Sequence, residues 1–157
     1  MKKKSEIKIR KATRKDIIES LKIANDLKEW FDNNAREKNM PLDFKLNNLI
    51  VAVEGKSVIG FLCYTSYSGK MLLVWMGVKR DYQRKGIGKI LLDWLIKEAK
   101  RLKLHSIEVE TLTDEDDYEP YTRTRKFYYE CGFKRIGYKK AKIKGWDDQI
   151  VLEKRLK

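Results

Sequence analysis

Histidine occurs once, and cysteine and proline twice each, in 157 residues. Each scarcity removes a class of function. Cys63 and Cys131 are far apart and lack metal-type spacing, which excludes a disulfide framework and makes reduced thiols the expectation. The lone His105 sits between a helix and a strand, distant from both cysteines, so no histidine-activated thiol is indicated, and no metal-ligand spacing occurs anywhere. Long hydrophobic runs are missing too. The apolar stretches Leu49 to Val53 and Met71 to Val78 fall well short of the roughly 20 residues a membrane span requires. The basic start Met1 to Lys4 leads into a charged segment, not into the ~7–15 apolar residues of a secretory signal. A cytoplasmic protein with no membrane partner is expected. Repeats, low-complexity linkers and composition breaks are also absent, so residues 1–157 read as one domain.

The chain has ample material for a core, with 42% hydrophobic residues beside 38% charged. A chain of this length buries roughly 70% of its unfolded surface. Lysine and arginine number 36 against 23 acids, a formal charge of +13, which invites an anionic partner. Most of these cations are interleaved with acids, as in Lys97-Glu98-Ala99-Lys100-Arg101, the pattern of a solvated face. Two segments depart from it. Lys79, Arg80, Arg84, Lys85 and Lys89 are opposed only by Asp81, and Glu108 to Glu119 holds seven acids and no base.

Periodicity gives the element order. Ile7 and Ile9 alternate with charges, and Ile17, Leu21, Ala24 and Leu27 then share one helical face. A second short helix carrying Trp30 and Phe31 is expected to end before Pro41, since a residue preceding proline is pushed from the helical region. Leu49 to Val53 and Val58 to Tyr64 form a hairpin, a turn covers Ser66 to Lys70, and Met71 to Val78 is a strand apolar on both faces. Ile90, Leu91, Trp94, Leu95, Ala99 and Leu102 mark a strong helix from Ile87. Ser106 to Leu112 is a strand, and Tyr121 to Cys131 a helix closed by Gly132. Phe133 to Ile143 and Asp148 to Leu156 complete a strand pair. The fold class is α/β, a mixed sheet with helices on both faces.

Between the apolar strand and the strong helix lies Gln83-Arg84-Lys85-Gly86-Ile87-Gly88. Two glycines let backbone N–H groups approach a ligand, the helix N-terminus adds partial positive charge, and arginine and lysine supply charge-assisted contacts. The arrangement suits a pyrophosphate. It is not a P-loop, because Ile90 follows Lys89 and Gln83 stands where the first glycine would be, and Leu91 replaces the third glycine of the dinucleotide fingerprint.

These residues resemble the acyl-CoA signature of the GNAT superfamily of N-acetyltransferases, Gln/Arg-x-x-Gly-x-Gly/Ala between the fourth strand and third helix, matched by Gln83, Gly86 and Gly88. The opening Ile9 to Thr13 with Asp16, the pair Gly77-Val78, and Phe127-Tyr128-Tyr129-Glu130-Cys131-Gly132-Phe133 also resemble family features in the same order. The resemblance implies a mostly antiparallel sheet of about seven strands with helices on both faces, and an enzyme that moves the acetyl group of acetyl-CoA to a primary amine by direct attack in a ternary complex. It implies that backbone groups of Met76, Gly77 and Val78 meet the pantetheine arm and polarise the thioester carbonyl, and that Arg84, Lys85, Gly86, Ile87, Gly88 and Lys89 hold the pyrophosphate.

Tyr128 matches the tyrosine near the sulfur, where a phenol can donate to the departing thiolate. Tyr129 faces elsewhere and reads as structural. Many members carry asparagine and alanine where this chain has Tyr121 and Thr124, so Tyr121 stands at a cofactor-contact position with altered chemistry. The fourth strand offers no carboxylate, and Glu110 or a water chain is the substitute base. Trp30, Phe31 and Asp32 fall where the family builds one wall of the acceptor site. The acidic run Asp114 to Glu119 suits a cationic acceptor, small molecule or peptide. Two other readings stand beside this one: a non-catalytic acyl-CoA sensor, and a basic nucleic-acid-binding module using Tyr64, Tyr67 and Trp146, against which the acidic loop argues. No nucleic-acid partner is expected. The acceptor and the oligomeric state, a homodimer included, stay open.

Overall fold

The computed structural model describes residues 6–157, so the basic start at Met1 to Lys4 lies outside the described residues. The elements are β1 (Ile7–Lys11), α1 (Arg14–Asp26), α2 (Met40–Leu46), β2 (Asn48–Glu54), β3 (Ser57–Tyr67), β4 (Lys70–Val78), α3 (Ile87–Arg101), β5 (Ser106–Leu112), α4 (Glu119–Glu130), β6 (Lys134–Lys139) and β7 (Gln149–Arg155). Seven strands form one sheet in the order β1-β2-β3-β4-β5-β7-β6. The β1/β2, β2/β3, β5/β7 and β6/β7 pairs are antiparallel. The β4/β5 pair is parallel, in register from Lys70↔Ser106 to Leu73↔Val109. This is the mixed, mostly antiparallel seven-stranded sheet expected from the sequence. The chain divides into two compact units, Met1–Thr65 with Val74–Lys97, and Ser66–Leu73 with Glu98–Lys157.

In the first unit, α1 starts at a capping box. Thr13 Oγ1 accepts from Asp16 N at 3.3 Å and Asp16 Oδ2 accepts from Thr13 N at 2.8 Å, satisfying two orphan donors. Arg10 of β1 pairs with the same carboxylate, which ties strand to helix. Successive residues of β3 point to opposite faces of the sheet. Phe61 joins Ile23, Leu27, Phe31, Met40 and Phe44 of the α1/α2 layer, whereas a Cβ at Gly60 would lie 3.3 Å from both Ile87 Cγ2 and Leu91 Cδ1 of α3. Helices therefore cover both faces of this strand.

The expectation of a helix ending before Pro41 is corrected. Trp30 and Phe31 lie in a turn after α1, and the helix begins later, where Asp32 Oδ1 accepts from Ala35 N at 2.8 Å. A π-helical turn, Ala35–Asn39, runs directly into α2 with Pro41 in its first turn. Pro41 supplies no N–H to the preceding turn of this continuous helix, and the wide π turn, closed by Met40 N to Ala35 O, accommodates it with Met40 helical at φ −65°. Buried Met40 and Phe44 hold the segment on the core. On α3 the buried stripe is Ile87, Leu91, Leu92, Leu95 and Ala99, while Ile90 and Leu102 are exposed.

In the second unit, Ser68 and Gly69 both take positive φ (54° and 80°), as a tight β3/β4 hairpin with this twist requires. His105 is a backbone stitch: its N–H donates to Gly69 O at 2.8 Å and its carbonyl accepts from Leu156 N at 2.9 Å. Helix α4 begins at Glu119, two residues earlier than the sequence suggests, with Pro120 in its first turn. It ends in a Schellman motif, Gly132 N to Tyr129 O and Phe133 N to Tyr128 O, both at 3.0 Å, with Gly132 at φ 91°. The terminal strands are shorter than expected. Residues 140–148 form a loop because Asp148 Oδ1 accepts from Ala141 N at 2.7 Å and its other oxygen takes the Tyr138 hydroxyl, drawing the chain out of the ladder.

Candidate active site

The first unit carries the glycine turn. Lys79 N donates to Ile59 O at 2.8 Å and ends β4, and one 3₁₀ turn, Arg80–Tyr82, then redirects the chain. Two side chains brace that turn. Arg80 binds Glu29 at 2.9 Å and the Asp26 carbonyl at 2.7 Å, and Tyr82 donates to Glu54 Oε1 at 3.1 Å. Arg80 is thus committed to structure, although it belongs to the basic cluster read from the sequence. Gln83 Nε2 donates to Val78 O at 3.1 Å, so this signature residue staples the end of β4.

Arg84 and Gly86 adopt positive φ of 60° and 83°. Buried Ile87 pins the helix start, and Ile90 N reaches Gly86 O at 3.1 Å. The N–H groups of the first helical turn have no intrahelical acceptor and gather at this end. A Cβ built on Gly86 meets no atom within 4 Å, so the space over the turn is open. Arg84 is exposed, Lys85 Nζ lies 5.5 Å from the Tyr82 ring centroid, and Lys89 pairs with Asp93 at 3.0 Å. Gly88 is half-buried. On β4, Met76 and Val78 are half-buried, and Gly77 has a packing reason for its missing side chain: a Cβ would stand 2.6 Å from Phe61 Cζ.

The second unit carries Tyr128, whose residue is 4% exposed. The Phe127 and Phe133 rings each lie 5.3 Å from its own. Among the described residues nothing hydrogen-bonds its hydroxyl. Burial, with smaller contributions from Cys131 and Tyr121, pushes the phenol up from its ordinary value, so it is a neutral donor at physiological pH. Tyr121 is half-buried, its ring 6.1 Å from Tyr118. Tyr129 donates to Asp114 at 2.9 Å, in keeping with a structural role. Glu110 is exposed on β5 and its carboxylate is paired with Lys139 of β6.

The acidic run is organised by a residue the sequence reading missed. Buried Arg125 donates to Leu112 O at 3.1 Å and Asp116 O at 2.7 Å and pairs with Asp114 at 3.4 Å. A cavity of about 540 Å³ is lined by Thr113, Glu115, Asp116, Tyr138, Asp147 and Asp148. The last three come from the terminal hairpin, and the signal available in sequence was the adjacent acids Asp147-Asp148. Asp43 was also missed. Strand β4 lacks a carboxylate of its own, but α2 brings Asp43 Oδ2 to 2.8 Å from Trp75 Nε1. Phe31 of the expected acceptor wall is core, stacked edge-on with Trp75 at 5.9 Å, and Asp32 is an exposed helix cap. Tyr64, invoked for nucleic-acid stacking, is buried with its ring 5.8 Å from Trp94. Among the described residues no group of His, Cys, Asp and Glu is arranged to hold a metal.

The family model of the acetyltransferase (GNAT) domain matches residues 45–135. No curated protein matches the chain in sequence. Among solved structures, a GNAT-family protein from Desulfovibrio desulfuricans superposes with TM-score 0.80 at 20% identity, covering 96% of this chain and 99% of that one. PaiA N-acetyltransferase from Thermoplasma acidophilum, solved with coenzyme A, has TM-score 0.73 at 20% identity, covering 96% and 99%. Ribosomal-protein-alanine N-acetyltransferase from Brucella melitensis has TM-score 0.70 at 24% identity, covering 95% and 99%. These likenesses show a shared fold. With a family model spanning more than half of its length, and the glycine turn and Tyr128 helix inside that span, the chain belongs to the GNAT acetyltransferases and is an acyltransferase.

Proposed function

We propose that the 157 residues act as one catalytic domain that transfers the acetyl group of acetyl-CoA to a primary amine of a cationic acceptor. The observation that carries the reading is the glycine turn: an open space over Gly86, a helix start pinned by Ile87, and exposed Arg84 and Lys85 beside it. Such a cradle suits a pyrophosphate, with Arg84 and Lys85 neutralising charge and the N–H groups from Gly86 to Lys89 donating hydrogen bonds to its oxygens. Acetyl-CoA, when bound, supplies a thioester carbonyl ready for amine attack. Backbone of Met76 to Val78 orients the pantetheine arm and polarises that carbonyl, while Gln83 keeps Val78 in place. Tyr121 lies at the same helix as a cofactor contact.

Tyr128 holds a proton at its hydroxyl and gives a hydrogen bond to the departing sulfur, for which a buried phenol with no competing partner is suited. The amine must shed a proton. Glu110 can receive it once Lys139 yields, or water can carry it. The acidic cavity formed by Glu115, Asp116, Asp147 and Asp148 favours a cationic acceptor, such as a polyamine, an aminosugar or a basic peptide.

The test is thiol release from acetyl-CoA over a panel of these amines at two ionic strengths. We expect turnover with one cationic class and an acceptor KM that rises several-fold with added salt. Replacing Glu115, Asp116 and Asp147 by their amides should abolish that salt effect and leave acetyl-CoA affinity unchanged. Acceptor kinetics that ignore the substitutions would reject the cationic class, and tight acetyl-CoA binding without turnover across the panel would favour the sensor reading.

A further inference from the structure

Strand β6 is an edge strand of the sheet, and all its residues but Gly137 are exposed. It leads into the 140–148 loop, which ends in a tight turn: Trp146 N donates to Ile143 O at 3.1 Å, and Gly145 has the positive φ, 89°, that a type II turn places third. Ile143 and Trp146 flank the turn and are 52% and 55% exposed. Lys140, Lys142 and Lys144 alternate along the same stretch, and among the described residues none of them has an ion-pair or hydrogen-bond partner. Asp148 accepts from Ala141 N and the Tyr138 hydroxyl, which brace the loop, and its ionised carboxylate also acts on Lys140. The loop therefore sets three lysines beside two acids, Asp147 and Asp148.

We propose that this loop is a docking tip for an anionic lipid surface, with Ile143 and Trp146 entering the headgroup layer and Lys140, Lys142 and Lys144 meeting lipid phosphates. An indole and an aliphatic side chain at a turn, collared by flexible cations, match the chemistry of a membrane interface, where one end of the contact is apolar and the rim is charged. A single-stranded nucleic acid asks for ring faces in series. Here the Arg135 guanidinium lies 5.9 Å over the Tyr138 ring and the Tyr138 hydroxyl is tied to Asp148, while Ile143 has no π face. No helix among the described residues is long and apolar enough to cross a membrane, which concerns spanning and leaves peripheral contact untouched. Three lysines and two apolar groups give weak, reversible and salt-dependent association.

The experiment sediments the full chain with unilamellar vesicles of phosphatidylcholine alone or with about one-third phosphatidylglycerol, a composition set to give a strong negative surface potential. The expected result is binding to the anionic vesicles alone, reversed by about 0.5 M salt. Lys140→Ala with Lys142→Ala and Lys144→Ala should lower the partition coefficient about 100-fold. Ile143→Ser with Trp146→Ser should also weaken binding, and both variants should keep the wild-type circular dichroism and melting temperature, because these side chains are exposed. Equal binding to neutral vesicles, no binding to anionic ones, or indifference to the lysine substitutions overturns the proposal. So does tighter, loop-dependent binding to poly(U) than to the vesicles.

Discussion

Asp16 shows how much a single side chain can hold. Its carboxylate takes the Thr13 N–H and the Arg10 guanidinium, so strand, cap and helix meet at one group. The Arg10 hydrogen bond is the largest cause holding its pKa below the usual carboxylate range, helped by Thr13 and opposed by burial. A folded-state value below the unfolded value means the contribution is complete above the unfolded pKa of about 3.9 and is lost as pH falls through the folded value. Asp16→Asn should therefore cost about 1–2 kcal/mol near neutral pH. In urea titrations at several pH values the gap from wild type should close as the solution becomes strongly acidic, and a gap independent of pH would contradict this role. Residue roles were legible where a local pattern carries them. Thr13 and Asp16 were noticed as part of the opening segment, though not as a capping box, and Tyr128 is singled out by its place before Gly132 and Phe133. Asp43 and Arg125 were not legible, since their partners, Trp75 on one side and Leu112 and Asp116 on the other, lie 32, 13 and 9 residues away and are brought close only by the fold.

At the scale of elements, hydrophobic spacing located α1, α3 and the five strands β1 to β5 closely, and Ser106 to Leu112 to the residue. The misses have local causes. Pro41 was read as a terminator, but the π turn Ala35–Asn39 before it lets the helix run on through the proline. The β6/β7 hairpin was overextended because Ile143 alternates with lysines like a strand residue, although Asp148 caps the loop from inside. Gly77 shows a packing demand that sequence could not display. The glycine was noticed for its place before the acyl-CoA signature, yet the structure sets it over the Phe61 ring. Gly77→Ala should overpack that contact and cost about 1–3 kcal/mol, read as a lower urea midpoint with an unchanged m-value. A midpoint equal to wild type would mean the ring moves aside freely.

For the whole molecule, the +13 charge invited an anionic partner, and the sequence already set a basic cluster at Lys79 to Lys89 apart from the acidic run Glu108 to Glu119. Cations gather at the glycine turn and at the 140–148 loop, and acids line the cavity of the second unit. Sorting of this kind is expected of an enzyme that takes one anionic and one cationic reactant, and less of a module that grips a polyanion along one face. The family was legible because its motifs are contiguous. The proposed acceptor cavity was not, because it draws on Thr113 to Asp116 and Tyr138 to Asp148, segments joined only in three dimensions.

The most direct test of the account is the turnover number of Tyr128→Phe with saturating acetyl-CoA and the best amine of the panel, beside calorimetric acetyl-CoA affinity for the same variant. The hydroxyl has no protein partner among the described residues, so its removal should leave folding and cofactor affinity intact while kcat falls about 100-fold or more. An unchanged kcat, with the amine panel otherwise active, would contradict the assignment of Tyr128 as the donor to sulfur.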